Sequence, residues 1–529
     1  MHKERRYIPL VIGAFLLALL GCIFYNVFIA PASAEKYKVA YIPLDNRPVN
    51  QERMRYLAQS ADITLIMPEE AHYRTVLDPM QANPDGSTSG NREALCQWLL
   101  QIDKECDHFI ISLDQMTSGG LVGSRWLCND DLKAEYSIID AVLSLCENNT
   151  VYLFDTVMRL APTVGYQGYS LEDYNILRAY GMQARKEISE DALTVKNITQ
   201  SYSLGADGAT IQTDIPADKL AQYHAARTRK LKLIDYTLKK AGDNVNFFYV
   251  GVDDSSPQNT IQTNEIRYIR TLLGENSVLG AATDEIALCC LARMILHLYN
   301  TEVSLQVTYF GGGENAPADG YDIGTLAESM QNHLDALSAN SAENGLQALC
   351  LTRGSCDADR TALLAKLKSN QASNIPTVLI DVSEDPKILA EQLLTDPEID
   401  ICRLLGYSSW NTAANAIGLA LSQGIGRYAY LSAVDHASQA ANEGFLRTLT
   451  FSYIKDISYK SFHPTLEGFL SLEHPCAPAN ILARLNDGKL ITALNHFRSE
   501  THGRISVSDF RYPWDRTFEM CFDIRISKN

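Results

Sequence analysis

The chain has 529 residues, 46% hydrophobic and 21% charged, which excludes a disordered, collagenous or disulfide-scaffold protein and requires a globule with a large core. Its 46 basic and 63 acidic residues give a formal charge of -17. No basic stripe is long enough to displace counterions from nucleic acid, so nucleic-acid partners are excluded and polyanionic surfaces are disfavoured.

Lys3, Arg5 and Arg6 precede an uncharged, largely apolar run over 7–30, and Pro31-Ala32-Ser33-Ala34 supplies a small-residue cleavage site. This order predicts an export signal over 1–34, a mature chain starting at Glu35, and an extracellular or cell-surface location. Two readings stay open beside it: an uncleaved membrane anchor, for which the run is long enough, and a lipoprotein, because Leu19-Leu20-Gly21-Cys22 has the form of a lipoprotein site. The membrane is expected as a partner only through this segment.

Beyond residue 36, short β-rich apolar runs occur at 38–44, 63–67, 108–113, 151–154, 245–252, 278–281, 304–310, 377–380 and 401–405. Amphipathic stretches separate them, such as the stripe of Leu95, Trp98, Leu99 and Ile102. Continuous apolar strands alternating with helices predict an α/β fold with a predominantly parallel sheet, either (β/α) barrel-like or doubly wound. The expected divisions are an α/β domain over 36–300, a second, smaller α/β lobe over 301–432 and a helical and β appendage over 433–529, with strands over 504–526. The polar insertion over 191–218 reads as a surface excursion or lid. The basic stretch over 227–240, with Leu231, Ile234 and Leu238 on one side, reads as a solvated helix face.

Several motifs carry no chemistry. Gly424-Ile425-Gly426-Arg427-Tyr428-Ala429 matches a dinucleotide pattern but follows a helical stretch, so it reads as a helix-to-strand turn before an apolar run over 428–431. No H-E-x-x-H, G-x-S-x-G or C-x-x-C occurs, so no metal or other cofactor is expected from motifs. Of the 12 cysteines, Cys96, Cys106, Cys289 and Cys290 sit in apolar patterns; Cys350 and Cys356 are the closest plausible disulfide pair.

Parallel α/β proteins place their sites at the carboxyl ends of the strands. Here those ends carry Asp45, Asn46 and Arg47, then Asp114 with Arg125, Asp155 with Arg159, Asp253-Asp254, Asp284-Glu285, and Trp410-Asn411 with Asn415. Singly, each is a turn former or a helix cap. Together, carboxylates, amides, arginines and a tryptophan suit a polyhydroxylated ligand, so a carbohydrate is the expected partner.

The segments PLDNRP, SLDQMTSGGLVGSR, FDTVMRLAPT, DDSSP, ATDE, GYSSWNTAAN and YPWDRTFE, in this order, resemble the signature blocks of the bacterial domain-of-unknown-function family 4127. The likeness runs over 38–519 and implies that these residues act jointly without implying an activity. Ser118 and Thr283 depart from the residue types expected before Gly119-Gly120 and Asp284-Glu285.

A narrower likeness concerns Asp253-Asp254 with Trp410-Asn411 and Asn415, which is similar to elements of barrel glycosidases that remove N-acetylglucosamine by substrate-assisted catalysis. It implies that Asp253 orients the acetamido group and Asp254 is the general acid and base. The expected function is an exported glycoside hydrolase acting on N-acetylhexosamine-containing glycans, with Asp45, Asn46, Arg47, Asp114, Arg125, Arg159, Asp284, Glu285, Trp410, Asn411 and Asn415 binding substrate. The alternatives are a metal-dependent hydrolase using Asp45, Asp114 and Asp253, and a carbohydrate-binding protein without catalysis.

Overall fold

The strands are apolar along nearly their whole length, so each sheet has two faces to bury and needs cover on both. The computed structural model describes residues 37–342, 345–409, 411–459, 478–496, 504–516 and 519–527. Six strands, β1 (Tyr37–Ile42), β2 (Ile63–Ile66), β3 (His108–Ser112), β4 (Thr150–Val157), β5 (Phe247–Val252) and β6 (Ser277–Ala281), form a sheet in the order β2-β1-β3-β4-β5-β6. Every neighbouring pair in it is parallel. Five more, β7 (Val303–Phe310), β8 (Ala339–Ser341), β9 (Leu346–Leu351), β10 (Thr377–Asp381) and β11 (Leu404–Ser408), form a second all-parallel sheet in the order β11-β10-β9-β7-β8. Near the carboxyl end, β12 (Arg504–Arg511) pairs antiparallel with β13 (Cys521–Ser527).

Both large sheets follow one plan, in which the first strand is flanked by the second on one side and by the third on the other. The winding therefore reverses between β1 and β3 and again between β7 and β9. The sheets are open, with β2 and β6 at the edges of the first, so the doubly wound alternative holds and the barrel does not.

In β1, Val39 and Tyr41 belong to one core and Ala40 and Ile42 to another, as the strand period of two demands. The first of these cores also takes Tyr249 of β5, Leu305 of β7, Ala348 of β9 and Val378 of β10, so it lies between the two sheets. The helices Ile286–Tyr299 and Ala413–Ala433 fill that layer. Ile286–Tyr299 is apolar nearly all round, which is what burial on every side requires. The far face of the second sheet, with Leu349, Leu379 and Tyr407, packs against the carboxyl-terminal helices and strands.

Several expectations need correction. Gly424 and Gly426 lie inside the continuous helix Ala413–Ala433, and 428–431 is its last turns, not a strand. A Cβ on Gly424 would fall inside van der Waals contact of Val378, so glycine lets the helix approach β10. The strands β8 and β9 are absent from the sequence-derived runs, and the run at 401–405 is displaced, because 401–403 is a 3₁₀ turn leading into β11. Arg227, Arg229 and Lys230, on the helix Ala217–Ala241, are buried rather than solvated; they pair with Glu265, with Glu135, and with Asp114 and Asp155. The insertion over 191–218 includes a short helix, Val195–Ser201, and borders a shallow hollow of its own; none of its residues lines the main cavity, so it is no lid there. Cys350 and Cys356 are both unpaired, one buried and the other exposed.

Candidate functional site

The carboxyl ends of the first sheet open into a cavity of about 440 Å³, a volume suited to a small ligand. The turn after β1 supplies its first wall. Asp45, fully buried, accepts hydrogen bonds from the Arg47 backbone N–H, the Arg47 Nε and Asn50 Nδ2, each at 2.9 Å. That fixes the Arg47 guanidinium, which forks onto Asp284 at 3.1 and 2.5 Å. Asn46 Oδ1 accepts from Thr75 N at 3.1 Å and from Trp514 Nε1 at 2.9 Å, and the Trp514 ring lies 4.9 Å from the Arg47 guanidinium carbon. Burial pushes the Asp284 acid up to about 7; Arg47 opposes this, but it is shared with Asp45, whose charge raises Asp284 further.

After β3, the short helix Leu113–Ser118 ends in Gly119 at φ +71°, followed by Gly120 at φ +122°. A Cβ on Gly120 would stand 3.1 Å from both Gln115 and Thr75 side-chain oxygens, so this turn needs glycine for space as well as conformation. It delivers Arg125 to the end of β5, where Nε and Nη2 both donate to Asp253 Oδ2 at 3.0 and 2.5 Å and Nη1 donates to Thr163 at 3.1 Å. Beyond β4, Arg159 donates to the carbonyls of Ala161 and Pro162 and, at 3.2 Å, to Asp254 Oδ2.

The adjacent aspartates after β5 have different surroundings. The Asp253 side chain is 3% exposed and held by Arg125, with Thr283 Oγ1 donating to its other oxygen at 3.3 Å. Asp254 is 26% exposed and faces the cavity. Burial first, and the Asp253 charge second, raise the Asp254 acid; Arg159 and Arg125 only partly counter them. Glu285 accepts from the Thr283 backbone N–H at 3.1 Å and contacts His333 Nε2 at 3.3 Å.

The second sheet supplies the opposite wall. Asp319 and Asp322, in the loop after β7, accept at 2.7 and 2.8 Å from the backbone N–H groups of Ala413 and Ala414, at the start of the helix Ala413–Ala433. Tyr321 accepts from the Ser255 backbone N–H at 2.6 Å, which ties this loop to the Asp253-Asp254 turn. Asn411 reaches the cavity in the left-handed conformation, φ +60°, that asparagine tolerates. Asn415 Nδ2 donates to Thr412 Oγ1 at 3.2 Å, while its Oδ1 is buried without a partner.

Of the residues expected at the site, Arg47, Arg125, Arg159, Asp253, Asp254, Asp284, Glu285, Asn411 and Asn415 line the cavity. Asp45, Asn46 and Asp114 do not: Asp45 and Asn46 hold Arg47 and Trp514, and Asp114 is buried against Lys230 and Thr156. Trp410 lies outside the described residues. Sequence reasoning missed Thr163, Tyr174, Tyr321, Asp322, Thr412, Trp514 and Arg516. Thr163, Thr412, Trp514 and Arg516 stand in or beside family blocks, a signal that was available; Tyr174, Tyr321 and Asp322 follow no strand directly and carry none. The carboxylates proposed for a metal, Asp45, Asp114 and Asp253, take Arg47, Lys230 and Arg125 instead. Among the described residues no group of three His, Cys, Asp or Glu side chains gathers as a metal site.

A doubly wound α/β protein with a charged cavity at the carboxyl rim of its larger sheet is the class these features define. The chain belongs to the family described as protein of unknown function DUF4127, whose model matches residues 39–523. No curated protein and no solved structure matches it.

Proposed function

We propose that the protein is an exported glycoside hydrolase that cleaves N-acetylhexosaminides with assistance from the substrate's own acetamido group. The observation that carries this reading is the contrast within one turn: Asp253 immobilised by Arg125, and Asp254 open to the cavity with its acid raised. In this mechanism Asp253 accepts the acetamido N–H, and the acetamido oxygen attacks the anomeric carbon. The glycosidic bond breaks as Asp254 passes its proton to the leaving oxygen. Asp254, now a carboxylate, takes a proton from the water that opens the cyclic intermediate. A general acid needs a pKa raised towards neutrality, and two adjacent carboxylates in a largely buried turn provide it. The unpartnered Asn415 Oδ1 offers an acceptor for a sugar hydroxyl.

Asp254→Asn is expected to slow hydrolysis of an alkyl N-acetylhexosaminide by roughly a hundred- to ten-thousandfold and to spare a nitrophenyl substrate, whose leaving group needs little protonation. Asp253→Asn is expected to slow both. If neither variant slows any N-acetylhexosaminide by more than about tenfold, the reading falls and carbohydrate binding without turnover takes its place. Export rests on the charged, apolar, small-residue order of residues 1–34, which lie outside the described residues; among the described ones no helix is long and apolar enough to cross a membrane. Amino-terminal sequencing should find Glu35.

A further inference from the structure

The cations around the cavity are not equally occupied. Arg47 is paired with Asp45 and Asp284, Arg125 with Asp253, and Arg159 with Asp254. Arg516, also lining the cavity, has no carboxylate within ion-pair distance among the described residues; the acidic charge that acts on it is that of Asp78. Its residue is 2% exposed, its Nη2 donates to the Val164 carbonyl, and its Nε is buried without any partner. A guanidinium has five donors, and burying it with a donor unmet and no directly paired carboxylate is costly. Burial, and then the like charge of Arg159, lower its pKa to about 10, against the opposing charge of Asp78, so it stays charged while being destabilised.

The local backbone accommodates this arginine at some expense. Gly165, at φ +67°, passes so close that a Cβ there would overlap the Arg516 guanidinium. The Arg516 backbone N–H donates to the Pro513 carbonyl at 3.3 Å in the same turn that seats Trp514 over Arg47. Such a seat is hard to explain by packing alone and fits a missing anionic partner.

We infer that Arg516, beside Arg159, binds an oxyanion carried by the ligand, so that the sugar accommodated here is acidic, bearing a carboxylate or a phosphate. This rests on the reading of the cavity as a sugar site and narrows its substrate class. The planar fork of a guanidinium suits either oxyanion, and a hydrogen bond between charged partners favours the acidic over the neutral sugar by about ten- to a hundredfold.

Calorimetry on the full chain with N-acetylglucosamine, N-acetylglucosamine 6-phosphate and glucuronate, and with inorganic phosphate and acetate, tests this. The wild-type protein is expected to bind at least one acidic sugar at least about tenfold more tightly than the neutral one; which of the two wins identifies the oxyanion. Arg516→Gln should abolish the preference and leave neutral-sugar affinity within about twofold, a split that a merely structural arginine would not produce. Equal affinities for neutral and acidic sugars overturn the inference while leaving the sugar reading intact, as does a preference that survives Arg516→Gln. Binding of phosphate or acetate that depends on Arg516, with no sugar bound, supports the anion site and overturns the sugar reading. Should Arg516→Gln fail to fold, the wild-type comparison decides alone.

Discussion

The two parallel sheets share one strand order, yet among the described residues their carboxyl rims are built differently, and the charged cavity lies at the rim of the first. In the first, Asp45, Asp253, Asp254 and Asp284 pair with Arg47, Arg125 and Arg159 across the strand-end loops. In the second, the equivalent crossover between β7 and β9 is filled by its own backbone. Gly311, at φ +109°, lies so close to the next loop that a Cβ would stand 2.6 Å from Thr352 Oγ1, and Gly313 N donates to that hydroxyl at 3.1 Å. The second sheet also lends residues that follow its strands, Tyr321, Asp322 and Asn415, to the pocket of the first. Strand order thus sets where a crevice can form, and the side chains at the strand ends decide whether it stays open.

The largest effect is expected beneath the first rim. Lys230 is the one cation shared by the buried Asp114 and Asp155, so Lys230→Met should cost about 3 to 5 kcal/mol in urea unfolding at neutral pH. A cost under about 1 kcal/mol, the scale of an exposed pair, would mean that these charges do not support the rim. The loss should shrink on acidification, because Asp155, pushed up to about 7 by burial, then takes a proton.

A second effect follows from linkage. Asp155 and Asp284 both titrate near 7 in the folded chain, above the ordinary carboxylate value, so the folded state holds their protons more tightly than the unfolded state does. Stability should therefore be greatest below about 4, fall as pH rises towards 7, and level off above. Glu135, lowered by Arg229 and its hydrogen bonds despite burial, acts in the opposite sense, only below its ordinary range. Unfolding midpoints measured from pH 4 to 8 check this, and Asp284→Asn should flatten the slope.

The smallest effects belong to the second rim. Gly311→Ala should lose about 1 to 3 kcal/mol through crowding and the positive φ, with activity unchanged. Arg353→Ala, at an exposed position of the same rim, should stay within about 0.5 kcal/mol. Thermal melts of the two variants, alongside their activity, distinguish a closed crevice from a second working site.

Much of this protein was legible from sequence. Apolar runs located most strands, and nine of the polar residues expected just after them, among them Arg47, Asp254 and Asn415, line one cavity, while Asp45, Asn46 and Asp114 support it from behind or lie elsewhere. Periodicity suffices for that, because a parallel strand must be apolar on both faces and its carboxyl end must leave the sheet. Length and apolarity missed β8, a three-residue edge strand, and β9, hidden next to it. Charge was misjudged where partners lay far away: Lys230 and Arg227 read as solvated because nothing nearby in the chain announces Asp114, Asp155 or Glu265.

The residues themselves determined the alternation of strands and helices and the glycine turn that carries Arg125, and their adjacency posed the difference between a buried Asp253 and a more exposed Asp254. Only the tertiary structure decided which cation meets which carboxylate, and that Trp514 returns to Asn46 from 468 positions away while Arg516 reaches the cavity with no carboxylate in ion-pair contact among the described residues. The reason is range: hydrophobic periodicity is written within a few residues, whereas an ion pair depends on which distant elements the sheet order brings within about 4 Å.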